Sequence, residues 1–148
     1  MGQRAEKAKE LFLQGYNCSQ AVLGAFCEDI GLEFETAIKL SSSFGGGMGQ
    51  LREVCGAVSS LFMIAGFKKG YTSPTDKDAK AEHYKRIQEL AKQFAEKKGS
   101  IICRDLLKMQ ATGTVEHHDR DAQYYKSRPC LALVEEAALL AEQLLEEK

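Results

Sequence analysis

Residues 44–70 read FGGGMGQLREVCGAVSSLFMIAGFKKG, and this stretch decides how the rest of the chain folds. Glycine occupies four of the five positions 45–49, and a helical repeat of apolar residues follows, made up of Val54, Val58, Leu61 and Ala65. Cys55 lies near the start of that helix, beside small residues. One of these is Gly56, although glycine inside a helix costs about 1 kcal/mol relative to alanine. We therefore predict a central helix whose small face lets another element, or a cofactor bound at Gly56, approach Cys55.

The remaining chain favours helices throughout. Apolar residues recur at helical spacing, no stretch alternates as a β-strand does, and nothing repeats internally. We expect the central helix to end near residue 66, and we predict further helices over residues 3–14, 18–29, 35–43, 74–98, 101–107 and 130–147. The fold class is therefore all-α. We expect a single domain, residues 1–148, that forms a bundle of six to seven helices, which is an ordinary length for one domain.

Local signals mark two helix starts. Asn17 and Gln20 have the spacing of a capping box, in which each side chain bonds the backbone N–H of the other residue. Ser73 followed by Pro74 is typical of a helix start, because serine caps free N–H groups and proline tolerates the first helical position. We therefore place the start of the long fifth helix at this pair.

Several polar residues later in the chain need an interpretation. On the long helix, we place His83 on the surface and Tyr84 in the buried stripe. Residues 109–127 are polar and irregular, so we predict a loop there. His117 and His118 lie in this loop near Asp119 and Asp121, a set of ligand types that a metal accepts. In a polar loop we interpret them as solvated side chains instead.

Composition and charge exclude several classes of protein. The 148 residues carry a net charge of −1, whereas nucleic-acid-binding proteins usually have an excess of basic residues. No apolar run is long enough to span a membrane, and the N-terminus lacks the apolar region of a signal peptide. We expect a cytoplasmic protein that neither binds nucleic acid nor inserts into a membrane.

Five cysteines are present, at Cys18, Cys27, Cys55, Cys103 and Cys130. With no export signal, metal binding or redox chemistry is favoured over structural disulfides. Because the chain has no CxxC motif, any shared cysteine site has to be assembled from distant segments. All except Cys27 fall in the first or second turn of a predicted helix, where about half a positive charge stabilises a thiolate and lowers the thiol pKa. Cys27 lies near the end of its helix, so we interpret it as a packing residue.

Four short segments give the chain a family resemblance. NCSQAVL around Cys18, REVCGAV around Cys55, CRDLL at Cys103 and RPC at Cys130 resemble the C_GCAxxG_C_C family, whose redox activity is itself a proposal. That family is named for four cysteines and a CGAxxG-type motif, on a chain of about this size. The resemblance implies that these four cysteines are the site residues of a redox-active or metal-binding protein. This chain departs from the motif at Ser60, where the family has glycine, and we expect Ser60→Gly to be tolerated.

Three functions remain open, and we rank them in this order. The first is thiol–disulfide chemistry, as in a thiol oxidoreductase that works with a redox partner protein, with Cys18 or Cys130 as the attacking thiol. The second is a site in which the four thiolates hold an iron–sulfur cluster or zinc, for electron transfer or sensing. The third is a structural or interaction protein whose apolar C-terminal helix drives a homodimer.

The placement of the sulfurs separates these functions. Four cysteines lying tens of Å apart would exclude both chemical functions at once. Convergence of the four on a central void would favour a metal, and two close pairs would favour disulfide exchange.

Overall fold

The computed structural model describes residues 2–108, 115, 120, 124 and 128–147. These residues form seven α-helices: α1 Gln3–Leu13, α2 Cys18–Ala25, α3 Phe34–Ser41, α4 Gly56–Lys69, α5 Lys77–Lys98, α6 Cys103–Leu107 and α7 Cys130–Glu146. A 3₁₀ turn, Ser42–Phe44, and a single turn with non-helical backbone inside it, Gly45–Met48, connect α3 to α4. No strand occurs in these residues, which confirms the all-α class. None of these helices is long and apolar enough to cross a membrane.

Helix α4 lies at the centre of the fold, as predicted. It packs against α2 and α7 and more lightly against α5, while α1 closes the bundle against α2 and α7. The stripe of Val58, Leu61 and Ala65 is fully buried, and burial of each large apolar side chain contributes about 1.5–3 kcal/mol. The helix begins at Gly56 and continues to Lys69, so Val54 precedes it and the predicted end near residue 66 is too early.

Helix α7 is buried along the apolar stripe predicted for it, which consists of Leu133, Ala137, Leu140 and Leu144. The helices that cover it, α1 and α4, belong to the same chain. The stripe is therefore used inside the monomer, and it gives no support to the homodimer expected from the sequence.

Two short helices end earlier than predicted. Helix α2 stops at Ala25 instead of near residue 29, and the chain continues in tight turns to Gly31, whose φ is +71°. Phe26 and Ile30 in these turns remain buried, so the apolar pattern continued although the helix did not. Helix α3 ends at Ser41, and the 3₁₀ turn takes the place of its predicted last residues.

Helix α5 starts later than Ser73-Pro74 predicted. Asp76 is the N-cap, and its carboxylate accepts the Ala79 N–H at 3.0 Å. The Ser73 hydroxyl accepts the Thr75 N–H at 3.3 Å and so closes only a local turn. The true cap lies three residues further along, because an aspartate next to the first helical turn both accepts N–H groups and complements the helix dipole.

Two further predictions on α5 are wrong, because the buried stripe runs through His83, Leu90 and Phe94 and leaves Tyr84 outside it. His83 is only 8% exposed, whereas Tyr84 is 49% exposed. The His83 Nδ1 lies 3.1 Å from the Arg86 Nη1. Burial and the charge of Arg86 lower the pKa of His83. Arg86 Nη2 also lies 3.8 Å from Glu82 Oε1, one helical turn earlier.

The loop predicted over residues 109–127 lies largely outside the described residues, as do His117, His118, Asp119 and Asp121. Arg120 is described. Its Nη1 donates to the Phe12 carbonyl at 2.7 Å and its Nη2 to the Tyr16 carbonyl at 2.9 Å. These carbonyls lie at the C-terminal end of α1, where a cation is favoured by the helix dipole.

Residues 45–50, which we call the glycine turn, have an uncommon backbone. Five consecutive residues have φ between 62° and 70°: Gly46, Gly47, Met48, Gly49 and Gln50. A left-handed conformation costs about 1–2 kcal/mol for each residue that has a Cβ. The turn is held by backbone hydrogen bonds from Arg52 to the Gly46 carbonyl, at 3.2 Å, and from Glu53 to the Gly47 carbonyl, at 3.0 Å.

Candidate functional site

Four of the five cysteines line one cavity of about 400 Å³. They are Cys18, Cys55, Cys103 and Cys130, the four singled out from the sequence. Cys27 is not among the lining residues, and it packs against the edge of the hydrophobic core. All five are free thiols. The thiols are therefore gathered and not scattered, which is the arrangement that both chemical functions require.

Helix starts position all four cavity cysteines. Cys18, Cys103 and Cys130 are the first residues of α2, α6 and α7, and Cys55 is the N-cap of α4. At α2 the predicted capping box is present: the Asn17 side chain accepts the Gln20 N–H at 2.9 Å, and the Gln20 side chain accepts the Asn17 N–H at 3.1 Å. The predicted positional regularity of the cysteines is confirmed.

A short antiparallel contact brings Cys55 and Cys103 together. Val54 and Ile102 form an isolated β-bridge. On one side of it the Cys55 N–H donates to the Ile101 carbonyl at 2.8 Å, and on the other the Cys103 N–H donates to the Glu53 carbonyl. This bridge connects the starts of α4 and α6, and a single pair of bridged residues gives no alternating pattern that sequence reasoning would detect.

Glycines allow the backbone to approach the cysteines. A Cβ on Gly56 would lie 2.8 Å from the Phe44 carbonyl oxygen and 3.1 Å from the Ser19 nitrogen. The close neighbour predicted for this helix face is thus the chain itself, at the start of α2 and before the glycine turn. Gly56 also lines the cavity, and its contact with a cofactor stays a prediction.

Ser60, the residue that departs from the family motif, makes specific contacts. It is fully buried, its hydroxyl donates to the Ser19 carbonyl at 2.7 Å, and its Oγ lies 2.7 Å from the Ser19 Oγ. These bonds join α4 to α2 directly behind Cys18. The effect of Ser60→Gly stays a prediction, but these contacts argue against its being tolerated, because the substitution would leave the buried Ser19 hydroxyl without this partner.

Cys130 has the most acidic thiol of the site. A hydrogen bond from Cys18, aided by the positive charges of Arg128, Arg120 and Arg52, lowers the pKa of Cys130 to about 7 against the opposing effect of burial. The same hydrogen bond and burial raise the pKa of Cys18 well above its ordinary value. Cys130 is therefore the thiolate of this pair, and Cys18 keeps the proton.

Burial outweighs the helix-start effect at the other two cysteines. It raises the pKa of Cys55 to about 12, although the nearby N–H groups of Val58 and Ala57 favour the thiolate. Burial also raises the pKa of Cys103, against a hydrogen bond that the Arg52 Nη1 donates to its sulfur at 3.7 Å. Only Cys130 has the lowered pKa that was predicted, and there the causes are Cys18 and the three arginines and not the helix start. At Cys55 and Cys103 the desolvation of the thiolate outweighs any effect of the helix start.

Three arginines surround the thiols, and sequence reasoning missed them. Arg52, Arg120 and Arg128 all line the cavity. Arg52 precedes Cys55 by three residues and Arg128 precedes Cys130 by two, so the segments REVC and RPC already contained the signal. Arginine beside cysteine is a general way to stabilise a thiolate.

The four cavity cysteines also form the set of donors that a metal centre would use. Four thiols are chemically suited to zinc or to an iron–sulfur cluster. Within the residues that the structure describes, however, no three Cys, His, Asp or Glu side chains are grouped so that they could hold one metal ion. The cysteines share a cavity without forming a ligand cage.

The protein is thus an all-α bundle in which four cysteines, each at the start of a helix, line one cavity. A family model described as "Putative redox-active protein (C_GCAxxG_C_C)" matches residues 16–144. The chain belongs to this family. No curated protein and no solved structure matches it.

Proposed function

We propose that this protein is a thiol oxidoreductase in which Cys130 attacks a disulfide and Cys18 resolves the intermediate. The observation that carries the proposal is that Cys18 and Cys130 begin two helices in contact, α2 and α7, and line one cavity. The interaction between the two sulfurs lowers the pKa of Cys130 and raises that of Cys18. Two adjacent groups whose pKa values are pushed apart are the general signature of divided roles in catalysis.

In the proposed reaction, the S–S bond of the substrate is broken and an S–S bond within the protein is formed. The Cys130 thiolate attacks one sulfur of the substrate disulfide, the S–S bond of the substrate breaks, and one half leaves as a thiolate. The Cys18 thiol gives its proton to this leaving thiolate. The Cys18 sulfur then attacks Cys130, closes a Cys18–Cys130 disulfide and releases the second half as a thiolate. The substrate gains two electrons and the protein loses two.

Cys55 and Cys103 have a second role in this proposal. Their pKa values are raised by burial, so both are thiols at neutral pH and react more slowly than Cys130. They line the same cavity, and we assign them to a second dithiol that is oxidised after the first. Return of the protein to its reduced form requires a partner protein that donates a dithiol.

A metal-binding function is the second candidate. The observation in its favour is that four cysteines line one cavity, which is the convergence a cluster or zinc site needs. Gly56, which has no side chain, borders that cavity and would let the metal group approach Cys55. The lack of a three-ligand group among the described residues places this candidate second.

The test uses protein purified and reduced without oxygen. Protein thiols are counted before and after reaction with one equivalent of 2-hydroxyethyl disulfide, once the small thiols that it releases have been removed, and metal content is measured on the same sample. We expect thiols to disappear in pairs, Cys130→Ser to abolish the reaction, and Cys18→Ser to accumulate a mixed disulfide on Cys130 that mass spectrometry detects.

Cys27→Ser is the matched control and should react as the unmodified protein does. Loss of reactivity in this variant would show that the wrong four cysteines were assigned. Bound iron with sulfide, or stoichiometric zinc, that is lost in Cys55→Ser and Cys103→Ser would replace the exchange reaction with the metal function.

A further inference from the structure

The register of the bridge between the starts of α4 and α6 decides how Cys55 and Cys103 face each other. Val54 is paired with Ile102, and the two segments run antiparallel. Cys55 therefore lies opposite the residue before Ile102, and Cys103 lies opposite the residue before Val54. The two cysteines are thus diagonal neighbours across the bridge and not directly opposed ones.

This register disfavours a disulfide while the bridge is closed. The Cα atoms of diagonal neighbours in an antiparallel pair are about 7–8 Å apart. A disulfide usually joins Cα atoms about 4.4–6.8 Å apart, and a larger separation requires the backbone to move. A disulfide between Cys55 and Cys103 therefore requires one segment to slide along the other. That slide breaks the two backbone hydrogen bonds that flank the bridge, one of which is donated by each cysteine.

The glycine turn holds Cys103 in place on its other side. The backbone of Gly47 lies against the Cβ of Cys103 and the Cα of Arg52, in a space that a Cβ on Gly47 could not share. The backbone N–H and the Nη1 of Arg104, the residue after Cys103, both donate to the Arg52 carbonyl at 3.2 Å. Movement of Cys103 along the bridge therefore disturbs the glycine turn as well.

The glycine turn has a backbone that depends on such contacts. Met48, Gln50 and Arg52 have φ of 68°, 67° and 61°, which is an unfavourable region for residues with a Cβ. A strained backbone persists only where the surrounding structure holds it. The glycine turn also lines the cavity that contains Cys130. Release of the turn from Cys103 would therefore alter the wall of that cavity.

We propose that oxidation of Cys55 and Cys103 to a disulfide opens the bridge between α4 and α6 and releases the glycine turn, so that this dithiol is a redox switch acting on the cavity. The inference rests on the second dithiol of the proposed function and adds its regulatory role. The oxidant is a second equivalent of the disulfide substrate. Its S–S bond breaks and takes up two electrons and the two thiol protons, while the S–S bond between Cys55 and Cys103 forms.

The test measures backbone amide hydrogen exchange in a variant that keeps only this dithiol. Cys18→Ser, Cys27→Ser and Cys130→Ser are combined, and excess 2-hydroxyethyl disulfide is added until mass spectrometry shows the loss of two hydrogens. We expect exchange in residues 46–55 and 101–104 to rise by about tenfold or more, because their hydrogen bonds open. Exchange in α1 should not change, and reduction with a phosphine should restore the protection.

The unmodified protein provides the same test without a substitution. One equivalent of 2-hydroxyethyl disulfide should oxidise Cys18 and Cys130 and leave the amides of the bridge protected. A second equivalent should oxidise Cys55 and Cys103 and expose those amides. The two steps are separated by adding the equivalents in turn and measuring exchange after each.

Arg104→Gln tests whether opening of the bridge limits this oxidation. The substitution removes the side-chain bond to the Arg52 carbonyl and the 3.2 Å ion pair with Glu53. Oxidation of Cys55 and Cys103 should become about threefold faster, as the loss of one modest hydrogen bond predicts. Arg86→Gln is the matched control, since its side chain contacts His83 on α5, and it should leave the rate unchanged.

The outcomes separate the switch from the function on which it rests. A disulfide between Cys55 and Cys103 that leaves exchange at the bridge unchanged would overturn the switch and leave the proposed function standing. If no disulfide forms between them even in excess oxidant, the second dithiol and the switch both fail. Loss of the Cys130 thiol to the first equivalent would in that case still support the exchange reaction.

Discussion

Gly47 lies directly against Cys103. A Cβ built on Gly47 would come 2.5 Å from the Cβ of Cys103 and 2.9 Å from the Cα of Arg52. The backbone of the glycine turn therefore contacts Cys103 and Arg52, which both line the cavity. Gly47 is thus the position at which the glycine turn approaches the cysteine site.

Gly47→Ala should destabilise the protein more than Gly49→Ala. Both glycines have positive φ, 70° and 62°, so the backbone cost of a Cβ is similar in the two variants. A Cβ on Gly49 meets only the Ser43 carbonyl at 3.7 Å, whereas on Gly47 it overlaps Cys103. Overpacking adds about 1–3 kcal/mol to the cost of Gly47→Ala. Urea denaturation measures the difference, and equal midpoints for the two variants would contradict this packing.

Ser60 should prove less replaceable than the family motif suggested. Its hydroxyl is buried and bonds both the carbonyl and the hydroxyl of Ser19. We expect Ser60→Ala to cost about 1–3 kcal/mol of unfolding free energy, because the Ser19 hydroxyl loses its buried partner. Ser60→Gly should cost up to about 1 kcal/mol more, from the lower helix propensity of glycine.

A double-mutant cycle isolates the contribution of this serine pair. Replacing both Ser19 and Ser60 by alanine removes two hydroxyls together, so neither remains buried without a partner. The double variant should therefore be more stable than the two single costs added together predict. Strict additivity in urea denaturation would mean that the two hydroxyls do not interact in solution.

Glu142 should be a larger contributor to stability than its neighbours on α7. Its carboxylate accepts N–H groups at the start of α1, from Gly2 at 2.6 Å, Arg4 at 2.8 Å and Ala5 at 3.0 Å. Glu142 on α7, at the C-terminal end of the chain, thus caps α1. We expect Glu142→Ala to cost about 2 kcal/mol, as the loss of a good N-cap does. Glu146→Ala, which removes an exposed carboxylate from the same helix, is the control in thermal denaturation and should change little.

Local signals predicted much of the site. The capping box at Asn17 placed Cys18 at a helix start. The helical repeat of the central segment did the same for Cys55, and the predicted helix 130–147 did so for Cys130. Features that depend on a few neighbouring residues are readable in this way. The boundaries were less reliable, since Asp76 and Ser73 are both good caps and only the folded backbone decides between them.

Features that depend on contacts between distant segments of the chain were not predicted from the sequence. The contact that brings Cys55 beside Cys103 consists of one bridged pair, which leaves no periodic trace in the sequence. His83 does lie at helical spacing from the buried Leu90 and Phe94, but its polar side chain was interpreted as exposed. The thiol pKa values depend on burial, on the neighbouring thiol and on the guanidinium groups around the cavity, none of which helix position predicts. At Cys130 the direction of the shift agrees with the prediction, but its cause is different.

Cys130 should be alkylated at lower pH than any other cavity cysteine. Its pKa is lowered from the ordinary 9.0 to about 7, so about half of it is thiolate at neutral pH, and the thiolate fraction rises as the pH increases through 7. Iodoacetamide labelling, resolved by peptide mass spectrometry between pH 5.5 and 10, should show a half-maximal rate at Cys130 near pH 7. The Cys55 rate should still be rising at pH 10, because burial raises its pKa to about 12.

Cys18→Ala should shift the Cys130 profile upward. The hydrogen bond from Cys18 is the largest cause of the lowered pKa, and its removal leaves burial, which favours the neutral thiol. Cys18→Ser keeps a hydroxyl that can donate, so its profile should lie between those of Cys18→Ala and the unmodified protein. Cys27→Ser should leave the profile unchanged. If Cys18→Ala left the half-maximal pH of Cys130 where it was, the lowered pKa would have to come from the arginines alone, and the assignment of Cys18 as the resolving thiol would lose its basis.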